Sequence, residues 1–162
     1  MDHAPPTVDS LASYHAALHW GVAQASASGA RTLWCVDEDF ADWPWNQPEL
    51  LQALVPWLRL PQRRLVLVAR QFDTLQRRHP RFVAWRADWA HAVDTWAPSE
   101  GERPVLPALL VDDGATLVHR LQAPDWRVSV VSDAARAQAA RGEVQALLAR
   151  CESAFPVKAL GL

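Results

Sequence analysis

"RPVLPALLVDDGATLVHRLQ", residues 103 to 122, decides how this chain folds. Two apolar runs flank Asp112-Asp113-Gly114, and Asp-Gly between such runs is the strongest short-range hairpin signal. A carboxylate pair at the tip admits two readings, chemistry or a turn. The turn reading gives Gly114 a purpose, the positive φ angle that a tight hairpin needs.

Upstream of the hairpin, helical and extended patterns alternate. Asp9 or Ser10 can cap a helix that places Leu11, Tyr14, Leu18, Val22 and Ala25 on one face, and Ser28-Gly29 ends it. "TLWCV", 32 to 36, is apolar, bounded by polar clusters and too short for a helix, so it is predicted as a buried strand. Asn46 and Glu49 have the spacing of a capping box, with Pro48 in the first turn of a helix showing Leu50, Leu51, Leu54 and Trp57. Pro56 bends or ends that helix. "RLVLVAR", 64 to 70, is an unbroken β-forming run and is predicted to lie inside the sheet. Asp73 can cap a short turn, and Pro80 opens a helical piece lined by Phe82, Trp85 and Trp89.

"HAVDTW", 91 to 96, is a predicted third strand, and "WRVSVV" a further strand after the hairpin. Ser132 or Asp133 then caps a last helix showing Val144, Leu147, Leu148 and Cys151. Strands separated by helices, then a hairpin, argue for an α/β fold. The expected architecture is a single layered domain over 1–162, a mixed β-sheet flanked by helices. Residues 1–8 form a flexible lead and 156–162 a C-terminal tail.

With 162 residues and half of them apolar, one core is expected, burying roughly 70% of the surface exposed by the unfolded chain. Cys35 and Cys151 are far apart, with no zinc or redox spacing, and read as reduced structural thiols. No basic, apolar start and no long uncharged apolar run is present, so the expectation is a cytoplasmic protein that does not enter a membrane. Charge is uneven although the net value is −2. Residues 1 to 58 carry seven acids against Arg31 alone, whereas residues 59 to 86 carry eight arginines against Asp73 alone.

The element order resembles one half of a phospholipase D-like domain, with "TLWCV" after the first helix, "RLVLVAR" after the second and a late hairpin. In active members of that superfamily the strand entering the hairpin carries His-x-Lys. Here Leu106 and Ala108 occupy those two places, although Asp112 and Gly114 keep the Asp near a Gly turn. The chain is more similar still to uncharacterised bacterial members, sometimes appended to N-acetyltransferases, which carry Arg-rich residues and a His before the third helix, as in "QRRHPRF". The resemblance implies a non-catalytic binding or interaction module with no cofactor, and pairing of two copies into a homodimer across a twofold axis.

Phosphoryl transfer by that superfamily's route needs a histidine nucleophile and a lysine for the transferred group, and no His-x-Lys occurs anywhere in the chain. His119 sits on the outgoing arm of the hairpin, where a surface or cross-strand role fits it better than that of a displaced nucleophile. Asp37-x-Asp39 after an apolar strand resembles a haloacid-dehalogenase-type phosphatase, a Mg²⁺ enzyme in which Asp112 and Asp113 would be late ligands. Phe40 and Ala41 follow where that family has Gly and Thr, and the only lysine is Lys158. A solvated acidic loop is the plainer reading. His15 and His19 are spaced to share a metal but lack further ligands, so no metal site is assigned.

The arginines are the strongest functional feature. Converging near one end of the sheet, Arg63, Arg70, Arg77, Arg78 and Arg81 could hold phosphate groups or a nucleic acid through forked contacts, with aromatic rings to stack bases. A charge run is usually a solvated face, and pairing with the acidic segment 37 to 49 is the competing and favoured reading. Trp43 and Trp45, in "WPW", read either as contacts for a protein partner or as a lid closing the core's open edge.

Overall fold

The computed structural model describes residues 4–157, so residues 1–3 of the expected lead and 158–162 of the expected tail lie outside it. The chain forms α1 (Leu11–Ala27), β1 (Thr32–Val36), α2 (Pro48–Leu58), β2 (Arg64–Val68), α3 (Asp73–Arg78) and α4 (Pro80–Asp88). There follow β3 (Val93–Pro98), β4 (Ala108–Asp112), β5 (Thr116–Gln122), β6 (Arg127–Ser132), α5 (Ala134–Leu148) and β7 (Cys151–Ser153). The strands make one seven-stranded sheet in the order β6-β5-β4-β1-β2-β3-β7. β1, β2 and β3 are parallel, and every other pairing is antiparallel. This is the predicted single layered α/β domain.

Burial on both faces explains the unbroken apolar runs of the inner strands. Leu33, Cys35, Leu65 and Leu67 enter one core, which α1, α2, α3 and α4 cover. Val36, Val66 and Val68 enter a second, covered by α5 through Ala137, Ala140, Val144 and Leu147. The single core expected from length is thus split by the sheet, because side chains alternate across a strand. No helix among the described residues is long and apolar enough to cross a membrane.

Ser10 caps α1 in a reciprocal box with Ser13, and Gly29, at φ +75°, turns the chain out of it. A Cβ on Gly21 would stand 2.8 Å from a Leu110 methyl, so this glycine sets how closely α1 lies on the hairpin strand. The expected Asn46 cap of α2 is not formed. Gln47 is the N-cap residue without a side-chain bond, because Asn46 Oδ1 instead accepts the backbone N–H of Arg81.

The hairpin is present, but its turn works differently from the expectation. Gly114 does not adopt a positive φ; the turn is held by Asp112, fully buried, whose Oδ1 accepts the N–H groups of Gly114 and Thr116 at 2.9 and 3.0 Å. Asp113 accepts the backbone N–H of Arg31. A side-chain oxygen that satisfies the loop's own donors removes the need for a left-handed glycine. Cys151, expected on the last helix, lies in β7 and pairs with Pro98 at the sheet edge.

Candidate functional site

At the C-terminal end of β1 the chain leaves the sheet as "DEDFADWPWNQ", 37 to 47, and local hydrogen bonds shape it immediately. Asp37 Oδ2 accepts the N–H groups of Asp39 and Phe40, and Asp39 Oδ1 accepts that of Ala41. Burial pushes the Asp37 carboxyl above the usual carboxylate range, an effect those N–H donors oppose. Phe40 takes a positive φ of 60°, a conformation that a bulky residue keeps only when its surroundings hold it.

Those surroundings are specific. His15 Nε2 bonds to the Asp42 carbonyl at 2.8 Å, and His19 Nε2 to Gln47 Oε1 at 2.8 Å. His79 Nε2 donates to the Phe40 carbonyl at 2.8 Å, and burial lowers the affinity of this imidazole for a proton. The spacing of His15 and His19 therefore serves two anchors for one loop. The histidines tie α1 and the α3–α4 junction to it.

Trp43 and Trp45 are 2% and 0% exposed, with rings stacked 5.9 Å apart, and Phe40 and Phe82 lie against Trp45. Burial of both rings leaves little of Trp43 and Trp45 exposed for a partner to touch. Their rings face inward and close the core, because the anchored loop folds its apolar side chains under itself.

Of the expected arginines, Arg63 stands at one end of β2 and Arg70 at the other, while Arg77, Arg78 and Arg81 lie about the α3–α4 junction. Arg63 precedes β2 and Arg70 follows it, about 20 Å apart at the rise of an extended chain. Arg63 Nη1 donates to the Pro61 carbonyl. Arg70 forks onto both carboxylate oxygens of Glu38 and also donates to the Pro104 carbonyl at 2.7 Å. Arg81 bonds to Asn46. Arg77 and Arg78, exposed at the end of α3, have no ion-pair partner among the described residues. Buried Arg86 donates to Thr95 Oγ1.

The two acid pairs are also apart. Asp112 is opposite Leu33 at the start of β1, whereas Asp37 follows the strand's end, so roughly 13 Å of strand separates them. Among the described residues, no group of three or more His, Cys, Asp or Glu is placed to hold a metal ion. Asp37 and Asp39 act on their own loop, Asp112 on the hairpin turn, and Asp113 on the backbone of Arg31 before β1.

Between the 37–47 loop, the entry to β4 and the C-terminal half of α5 lies a cleft of about 740 Å³. Leu106 and Ala108 line it. One side is acidic, with Asp37, Asp39 and Asp42; α5 adds Glu143, and the hairpin adds His119 and Arg120. Arg120 is already engaged. It donates to Asp42 Oδ2 at 3.0 Å and to the Pro124 and Asp125 carbonyls, and its guanidinium lies 4.1 Å from the Trp126 ring centre. His119, opposite Leu109 and Ser129 in the sheet, is half-buried, and burial lowers its proton affinity.

The far wall is Pro104–Pro107, part of a stretch from Glu102 that belongs to neither helix nor strand. Pro104 and Pro107 have no N–H to give a ladder, so the apolar "RPVLP" does not extend β4. Arg70 braces this wall to Glu38 through the Pro104 carbonyl, and Arg150 pairs with Glu102 at 2.7 Å. Val105 is 91% exposed and Leu121 61%, and both stand on the cleft's rim. The Pro-Val-Leu-Pro spacing was the sequence signal for this wall, masked by its apolar character.

Compared with known protein families, curated proteins and solved structures, the chain finds no match in any of the three.

Proposed function

We propose that this chain is a non-catalytic, phospholipase D-like binding module whose ligand site is the cleft at the entry to the hairpin. The observation that carries the proposal is that Leu106 and Ala108, standing where His-x-Lys would stand, line a concave site of ligand size. The polar groups around them support binding over turnover. Arg120 and Arg150 are held in ion pairs, so neither is free to stabilise a developing phosphoryl charge.

The arginine-based phosphate reading draws less support, since Arg70 and Arg81 serve the 37–47 loop and Arg63 lies at the other end of β2. The Mg²⁺ phosphatase reading draws less again, given the separation of its acid pairs. Pairing of two copies across a twofold axis belongs to the same proposal and is read by the solution mass.

The test is a phosphodiesterase and phosphatase screen with Mg²⁺ and Mn²⁺, run beside retention on heparin or phosphocellulose at low salt. No turnover and weak retention are expected. Turnover abolished by Asp37→Asn would establish the phosphatase instead, and retention that falls steeply with salt would favour a polyanion ligand.

A further inference from the structure

The charge and shape of the cleft specify more than an unnamed ligand. Five acids line it, Asp37, Glu38, Asp39, Asp42 and Glu143, against Arg120 and Arg150. Both of these arginines are committed, Arg120 to Asp42 and Arg150 to Glu102, and Glu38 is paired with Arg70. Asp37, Asp39 and Glu143 keep no cationic partner among the described residues. A site with this surplus rejects anions and attracts a positive charge.

The rest of the lining is apolar, and it continues outward. Leu106, Ala108 and Leu147 lie within the cleft, while Val105 and Leu121 project at its mouth. A small molecule inside would leave those two mouth residues wet; a chain crossing the cleft would cover them. The backbone N–H groups of Val105 and Leu106, between two prolines and outside helix and strand, have no hydrogen-bond partner among the described residues. Free main-chain donors beside an apolar surface are what an extended peptide uses when it docks alongside a strand-like segment.

We infer that the cleft receives an extended peptide segment in which a basic side chain sits beside apolar ones. The basic group faces the Asp39 and Glu143 side, and the apolar residues lie against Val105 and Leu121. This rests on the cleft being the ligand site, as proposed above, and names the class of partner that fits it.

The experiment uses the full chain and a fluorescein-labelled hexapeptide of alternating leucine and arginine, followed by fluorescence anisotropy. A hexapeptide of alternating leucine and glutamate and the small cation hexylguanidinium are the comparators. The arginine peptide is expected to bind at least about tenfold more tightly than the glutamate peptide. Val105→Asp and Glu143→Lys, both at exposed positions and checked for folding by circular dichroism, are each expected to weaken binding about fivefold or more. Equal binding of the two peptides, or affinity unchanged in both variants, would overturn the inference. Binding of hexylguanidinium without the peptide would also overturn it, in favour of a small organic cation. Phosphodiester turnover would sink the non-catalytic reading without touching this one, so the two failures are distinguishable.

Discussion

Arg120 on β5 reaches Asp42 in the loop after β1, Nη1 to Oδ2 at 3.0 Å, although the two residues are 78 positions apart in sequence. The arginine side chain is 7% exposed and the aspartate 48%. Their substitutions therefore have unequal consequences. Arg120→Ala removes the stacking on Trp126 and leaves two carbonyls without their donor, a loss of about 2–4 kcal/mol. Asp42→Asn, on the wet side of the pair, is expected to lower stability by less than about 1 kcal/mol. Urea titrations of the two variants measure the difference, and equal losses would show that Arg120 is held by the ion pair alone.

Asp112→Ala is expected to destabilise the protein by about 1–3 kcal/mol, because the buried N–H of Thr116 and that of Gly114 lose their acceptor. Gly114→Ala is expected to change stability by less than about 1 kcal/mol, since its Cβ would meet only ordinary contacts and no left-handed backbone is required. The reverse ranking in thermal melts would restore the glycine as the determinant of the turn.

Gly21→Ala drives a methyl to 2.8 Å from Leu110 and 3.3 Å from Val118. Both neighbours are in the first core, so α1 must lift or they must repack, and about 1–3 kcal/mol is expected to be lost despite alanine's better helix propensity. A melting temperature at or above that of the native protein would show that the core absorbs the methyl.

His79 makes the 37–47 loop sensitive to acid. Its Nε2–H is spent on the Phe40 carbonyl and its Nδ1 is buried without a partner, so a second proton would enter a site with no acceptor. Burial accordingly holds its pKa below the ordinary value of 6.5. The unfolded chain then takes up the proton more readily, so stability is full above about pH 6.5 and falls as the pH drops through that value. His119 acts in the same direction, also through burial. His79→Gln, which keeps an N–H donor, is expected to flatten the stability profile between about pH 7 and about pH 5. An unchanged slope would place the acid sensitivity elsewhere.

The inner strands were legible because burial on two faces leaves an unbroken apolar run, and the hairpin because Asp-Gly interrupts two of them. β7 was not, since Cys151-Glu152-Ser153 has no β pattern and becomes a strand only by pairing with Trp96–Pro98. The Asn46 cap failed for a related reason: a distant backbone N–H, that of Arg81, outcompeted the local one. The cleft was hidden more deeply. Asp37, Val105, Leu121 and Glu143 come from four separated stretches, and no spacing in one dimension reports their assembly. The three loop-anchoring histidines were visible as residues, but their partners were carbonyl and amide groups that carry no sequence signature.

The cleft resembles a vice with one fixed jaw. The 37–47 side is gripped by His15, His19, His79, Arg70 and Arg120. Among the described residues, side-chain hydrogen bonds hold the facing segment near Glu102 and Pro104, and Leu106 is packed into the second core. Accommodation to differently shaped ligands would then fall almost wholly on exposed Val105, and changes of selectivity could accumulate there while the scaffold beneath stays intact.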